Sequence, residues 1–143
     1  MPSKPYRTSE MNFRKFFYSF VRILAAVIMI QTLYFKFTGS PESVYIFTTV
    51  GMEPWGRWSV GVMELIASLL LLMPSSAWLG GGLALGLMAG AIGMHLTLLG
   101  VSVQGDGGYL FSLAVVVTIC SLAVLWMDQD KVRQFVTGFN RKE

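Results

Sequence analysis

Four apolar stretches constrain this chain more than any other feature, and they run roughly over residues 17–37, 58–73, 78–99 and 109–126. A helix rises about 1.5 Å per residue, so about 20 apolar residues cross the roughly 30 Å hydrocarbon core of a bilayer. The second stretch is short; it can borrow a turn from Trp55-Gly56-Arg57 or sit in a locally thinned bilayer. A mean hydropathy of +0.59, with 54% hydrophobic and only 13% charged residues, is far more apolar surface than a soluble core of this length absorbs. The expected architecture is therefore an all-α integral membrane protein. It is a four-transmembrane-helix bundle, with residues 1–143 forming a single membrane domain. A secretory signal peptide competes for the first stretch, but Lys36 and Phe37 stand where a small-residue cleavage site is wanted.

Orientation follows from the basic residues. Lys4, Arg7, Arg14, Lys15 and Arg22 precede or open the first span, and Lys131, Arg133, Arg141 and Lys142 follow the last. An even number of spans puts both ends on one side, and the positive-inside rule makes that side cytoplasmic, with tails 1–16 and 127–143. The net charge of +3 is thus read as membrane-orienting and not as a nucleic-acid signal. The expected location is a cell membrane crossed several times. Trp55 and Trp58 at one border, and Trp78 and Trp126 at the other, fit the headgroup preference of amphipathic rings.

Between the first two spans, Ser40-Pro41-Glu42 offers an N-cap, a proline at the first helical position and an acid in the first turn, and Gly51 offers a stop. These predict a short interfacial helix over about 41–50. After Trp126, Val132, Phe135, Val136 and Phe139 recur at helical spacing among basic residues, which fits a helix lying on an anionic leaflet or, alternatively, a frayed tail. In the third span, Gly82, Gly86 and Gly90 fall four residues apart. Helices in lipid associate through small residues, so this stripe is expected to be a contact face inside the bundle, with a homo-oligomer interface as the alternative.

Ionisable groups within the spans are costly and usually pair or face a water-filled cavity. Arg22 lies near the cytoplasmic border, where a long side chain snorkels, and is read as an orienting charge. Lys36, Glu64 and His95 lie on three different spans, each roughly 5 to 10 Å inside the outer border by helical rise. They form the candidate polar pocket, with Lys36 and Glu64 the natural ion pair. Tyr34, Tyr109 and Ser112, with Gln104 and Asp106, match that depth and are candidate mouth residues. A purely structural reading of the same three residues is a register-locking ion pair and a histidine bonded to a carbonyl.

Cys120 is the only cysteine and His95 the only histidine. The chain therefore cannot by itself supply an internal disulfide, a cysteine-ligated iron–sulfur cluster or a bis-histidine haem. No metal site and no intrinsic cofactor are expected.

Tyr34-Phe35-Lys36-Phe37-Thr38-Gly39 closing the first span, Gly51, Gly61-Val62-Met63-Glu64-Leu65 in the second and His95 late in the third together give the chain a recognisable pattern. It resembles the DoxX and DoxX-like family of small four-helix membrane proteins, over most of residues 23–126. The resemblance implies association with membrane redox: some members resemble a subunit of a thiosulfate:quinone oxidoreductase or of a terminal quinol oxidase, and others are linked to oxidative-stress defence. It also fits a bacterial cytoplasmic (inner) membrane. Carried over, it gives Lys36, Glu64 and His95 candidate site status and implies a quinone as ligand with a membrane or peripheral protein partner as electron source. Two other classes stay open at this point: a structural or assembly subunit without its own chemistry, and a small transporter. For the transporter, inverted halves are not visible and the charges lie near one face instead of the midplane.

Overall fold

The computed structural model describes residues 6–140. Lys4, Arg141 and Lys142, which contribute to the orientation argument, lie outside the described residues, as do the outermost parts of both tails. Among the described residues the chain is helical without strands: α1 (Tyr6–Thr38), α2 (Pro41–Thr49), α3 (Trp55–Leu72), α4 (Ala77–Met94) continuing into a π-helical turn (His95–Leu99), α5 (Tyr109–Met127) and α6 (Gln129–Asn140). Helices α1, α3, α4 with its π turn, and α5 are long and apolar enough to cross a membrane. They run up and down in a closed ring in which α1 packs on α3, α3 on α4, α4 on α5 and α5 on α1.

The helix borders follow local chemistry. No proline or glycine interrupts residues 6–38, so α1 continues about three turns before the expected start at Phe17. Helix α3 does take in Trp55-Gly56-Arg57. The predicted interfacial helix forms: the Ser40 hydroxyl accepts from the Ser43 amide at 3.3 Å, Pro41 is the first helical residue, and the chain turns at Gly51. The tail forms a helix too. Phe135 of α6 packs on Trp78 with ring centroids 5.2 Å apart, and the Lys131 ammonium donates to the Pro74 carbonyl at 3.2 Å, tying α6 to the α3–α4 turn.

Small side chains make up much of the core, alongside Met29, Leu71, Val117 and Val124. Ala25, Ala26, Ala67, Ala77 and Ala84 are fully buried, while Leu65, Ile66, Leu69, Leu72 and Leu79 face outward. This is the distribution expected where lipid tails are as apolar as leucine and close backbone approach holds helices together.

The glycine stripe is a correction. A Cβ at Gly82, Gly86 or Gly90 would meet nothing within 4 Å, so none of the three packs against a neighbouring helix; Gly90 borders the cavity described below. The contact face of α4 is instead Ala77, Gly81, Ala84 and Met88, with Gly80 beside it. At Gly80 a Cβ would lie 2.6 Å from the Leu71 amide nitrogen and 2.8 Å from the Ala67 carbonyl oxygen, a crossing only glycine allows. Small residues on both sides of α4 made the four-residue spacing ambiguous.

Arg22 is a second correction. Its side chain does not extend into solvent; the residue is only 6% exposed. The guanidinium donates to the Leu71 carbonyl at 2.9 Å and to the Leu72 carbonyl at 3.3 Å, and it stacks on Tyr18 at 4.9 Å. The last carbonyls of a helix lack partners within it and carry its negative dipole end, so a cation is well placed there.

Candidate functional site

At the end of the bundle that carries α2 and the 100–108 loop, a cavity of about 450 Å³ lies inside the ring of helices. Its deep wall is apolar, with Ile28, Met29, Met88 and Val117, and its shallow wall is polar. Helix α2 lies across the shallow end and contributes Ser43 and Phe47.

Lys36, in the last turn of α1, reaches across to α3, where its ammonium lies 2.9 Å from Glu64 Oε2; the two side chains are 14% and 5% exposed. The Thr32 hydroxyl, one turn earlier on α1, donates to the same oxygen at 3.2 Å and also lies 2.8 Å from the Met29 carbonyl oxygen. The carboxylate thus has an ion pair and a hydroxyl partner at the polar end of the cavity.

The backbone of Lys36 is held independently. The Arg57 guanidinium donates to the Lys36 carbonyl oxygen and grips both carboxylate oxygens of Glu53 at 2.8 to 3.0 Å. Arg57 on α3 therefore supports the end of α1, just as Arg22 on α1 supports the end of α3. Glu53 stands just ahead of α3, four residues before Arg57, and the pair joins the turn before the helix to its first turn.

His95 opens the π-helical turn at the end of α4 and borders the same cavity. Its Nδ1 lies 2.9 Å from the Gly100 carbonyl oxygen, and its ring meets Phe111 edge-on at 5.6 Å. Gly100 takes φ of +79°, a conformation that favours glycine, and so turns its carbonyl back toward the imidazole. The cavity therefore brings together all three residues of the expected polar pocket, because α4 touches neighbours on two sides.

Of the expected mouth residues, two border the cavity and three do not. Tyr109 lines the cavity, and its hydroxyl accepts from the Gln31 side-chain amide at 3.2 Å. Asp106 lines it as well. Tyr34 does not: it is 69% exposed and packs edge-on against Phe35. Two positions from Lys36 is about 200° around a helix, so the same depth puts it on the opposite face. Ser112 is likewise turned away, with its hydroxyl donating to the Gly108 carbonyl at 2.8 Å, and Gln104 is exposed on the loop. Depth alone did not fix azimuth.

Asp106 organises the 100–108 loop. One carboxylate oxygen accepts from the amides of Val103 at 2.9 Å and Gly108 at 2.8 Å, and the other from Leu110 at 3.0 Å. Burial pushes its carboxyl up, but these amide bonds and the Ser102 hydroxyl outweigh it, so the group ionises below its ordinary value. Glu42 also borders the cavity, and the sequence reading counted it only as a helix-opening acid.

No protein-family model, curated protein or solved structure matches the chain.

Proposed function

We propose that this chain is a DoxX-like membrane redox accessory protein that holds the head group of a membrane-soluble quinone, while a partner oxidoreductase exchanges the electrons. One observation carries the reading: Lys36, Glu64 and His95, from three helices, border a single cavity of about 450 Å³ with an apolar floor. Cavities of about 300–1,000 Å³ with apolar walls and a few convergent polar groups are the usual form of small-molecule sites. A quinone suits this division, because its carbonyls need donors at one end while its ring and tail need apolar walls. The ammonium protons of Lys36 not engaged by Glu64 are such donors. With one histidine and one cysteine in the chain, a bis-histidine haem or an iron–sulfur cluster would have to come from the partner.

The shallow end of the cavity faces away from the cytoplasm in this reading, with both termini cytoplasmic. The support is the concentration of lysine and arginine at the terminal end, and reporters fused at either terminus check it.

A purely structural role in a membrane complex has its own support, since Glu64 is already satisfied by Lys36 and Thr32. Titrating a decyl-tailed benzoquinone onto the protein in lipid nanodiscs separates the two. Saturable binding that disappears in a Lys36→Met, Glu64→Leu double variant of parent-like melting supports the site. No saturable binding, or binding unchanged in that variant, overturns it in favour of the scaffold.

A further inference from the structure

His95 meets a fixed backbone on one side and the cavity on the other. The Gly100 carbonyl can only accept, so the hydrogen of a neutral imidazole sits on Nδ1, 2.9 Å away. That leaves Nε2 with its lone pair, and among the described residues no protein group bonds it. Two contacts hold the ring in this setting: the edge of Phe111 and the π-helical turn that His95 begins, a feature that recurs at functional sites. Across the cavity, Lys36 offers donors. The lining of one cavity therefore includes a donor, Lys36, and a residue with an unengaged acceptor, His95.

A quinone carbonyl can accept from Lys36 but has no hydrogen to give Nε2. A hydroxyl carries a hydrogen that it can give to Nε2, and its oxygen can still accept from a donor. Leaving a buried acceptor unpaired costs more than the bond itself contributes. Resting on the quinone reading above, we propose that His95 makes this cavity selective for ligands that carry a hydroxyl hydrogen, so that the quinol form of a quinone couple binds more tightly than the oxidised form.

The test uses two ligand pairs on the full chain in nanodiscs: a decyl-tailed benzoquinone and its hydroquinone, and 4-nonylphenol and its methyl ether. The hydroxyl member of each pair should bind about tenfold more tightly, and His95→Leu should erase that ratio. A quinone couple that binds with equal affinities overturns the selectivity while leaving the quinone reading in place. A couple that fails to bind, beside a phenol that binds and its ether that does not, removes the quinone reading and leaves the selectivity. Failure of both pairs removes both.

Because His95 is the sole histidine, histidine-selective nitrogen-15 labelling reads its ring without any variant. The free protein should show a protonated Nδ1 and a lone-pair Nε2, and the hydroxyl ligands alone should shift the Nε2 signal upfield. The opposite tautomer, or an Nε2 signal indifferent to the phenol, overturns the proposal even where His95→Leu does not fold.

Discussion

Lys36 and Glu64 close the polar end of the cavity through a 2.9 Å ion pair that joins the last turn of α1 to the middle of α3. Neither charge is easily accommodated alone at that depth. Breaking a buried pair by removing one partner costs about 3 to 5 kcal/mol, whereas replacing both with apolar residues of similar volume is often nearly neutral. Lys36→Met and Glu64→Leu should each lower the melting temperature in detergent, and the double variant should recover most of the loss. Strict additivity of the two would show that they are not coupled.

The paired arginines give the second prediction. Arg22 holds the last carbonyls of α3 and Arg57 holds the Lys36 carbonyl at the end of α1, so each of these antiparallel helices supports the other's C-terminus. Arg22→Met keeps much of the side-chain volume but leaves buried carbonyls without donors, and about 1 to 3 kcal/mol of stability should be lost. Arg22→Lys should restore only part of it, because an ammonium lacks the planar fork that reaches two carbonyls. Equal thermal stability of parent and Arg22→Met proteins in detergent would remove Arg22 from the fold's supports.

The four spanning helices and the interfacial helix were legible because apolar length and the Ser40-Pro41-Glu42 opening are local signals. The Lys36–Glu64 pair was legible because two opposite charges at one depth in hydrocarbon have few other solutions. Tyr34, Ser112 and the Gly82–Gly86–Gly90 stripe were misread for one shared reason: depth follows from residue number, but which way a residue faces depends on how the helices rotate against their neighbours. Arg22 and Arg57 were missed as supports because their partners are main-chain carbonyls, which carry no side-chain signature.

Asp106 makes the 100–108 loop sensitive to acid. Its folded-state pKa lies below the unfolded value, so the stabilisation it confers is present above that unfolded value and is lost as pH falls through the folded one. Hydrogen-exchange protection of the Val103, Gly108 and Leu110 amides should hold at neutral pH and fall in acid below the ordinary carboxylate range. Asp106→Asn should lower that protection at neutral pH and flatten its pH response. Protection unchanged in acid would show that the loop is held by other contacts.

The last prediction separates two glycines six residues apart on α4. A methyl group at Gly80 would meet the Leu71 amide nitrogen at 2.6 Å and the Ala67 carbonyl oxygen at 2.8 Å, and backbone cannot rotate aside as a side chain can. Gly80→Ala should therefore force α3 and α4 apart, at about 1 to 3 kcal/mol, the range for overpacking a tight contact. Gly86 has open space where its Cβ would be, and alanine in mid-helix is favoured over glycine by about 1 kcal/mol. Gly86→Ala should leave the monomer unchanged or slightly stabilised. Gly86→Leu extends the test to the alternative use of that outward face: a bulky side chain there should leave melting and assembly state unaltered if the stripe faces lipid. A shift to smaller particles in detergent, with the parent melting profile retained, would instead place Gly82, Gly86 and Gly90 at a contact between copies of the chain.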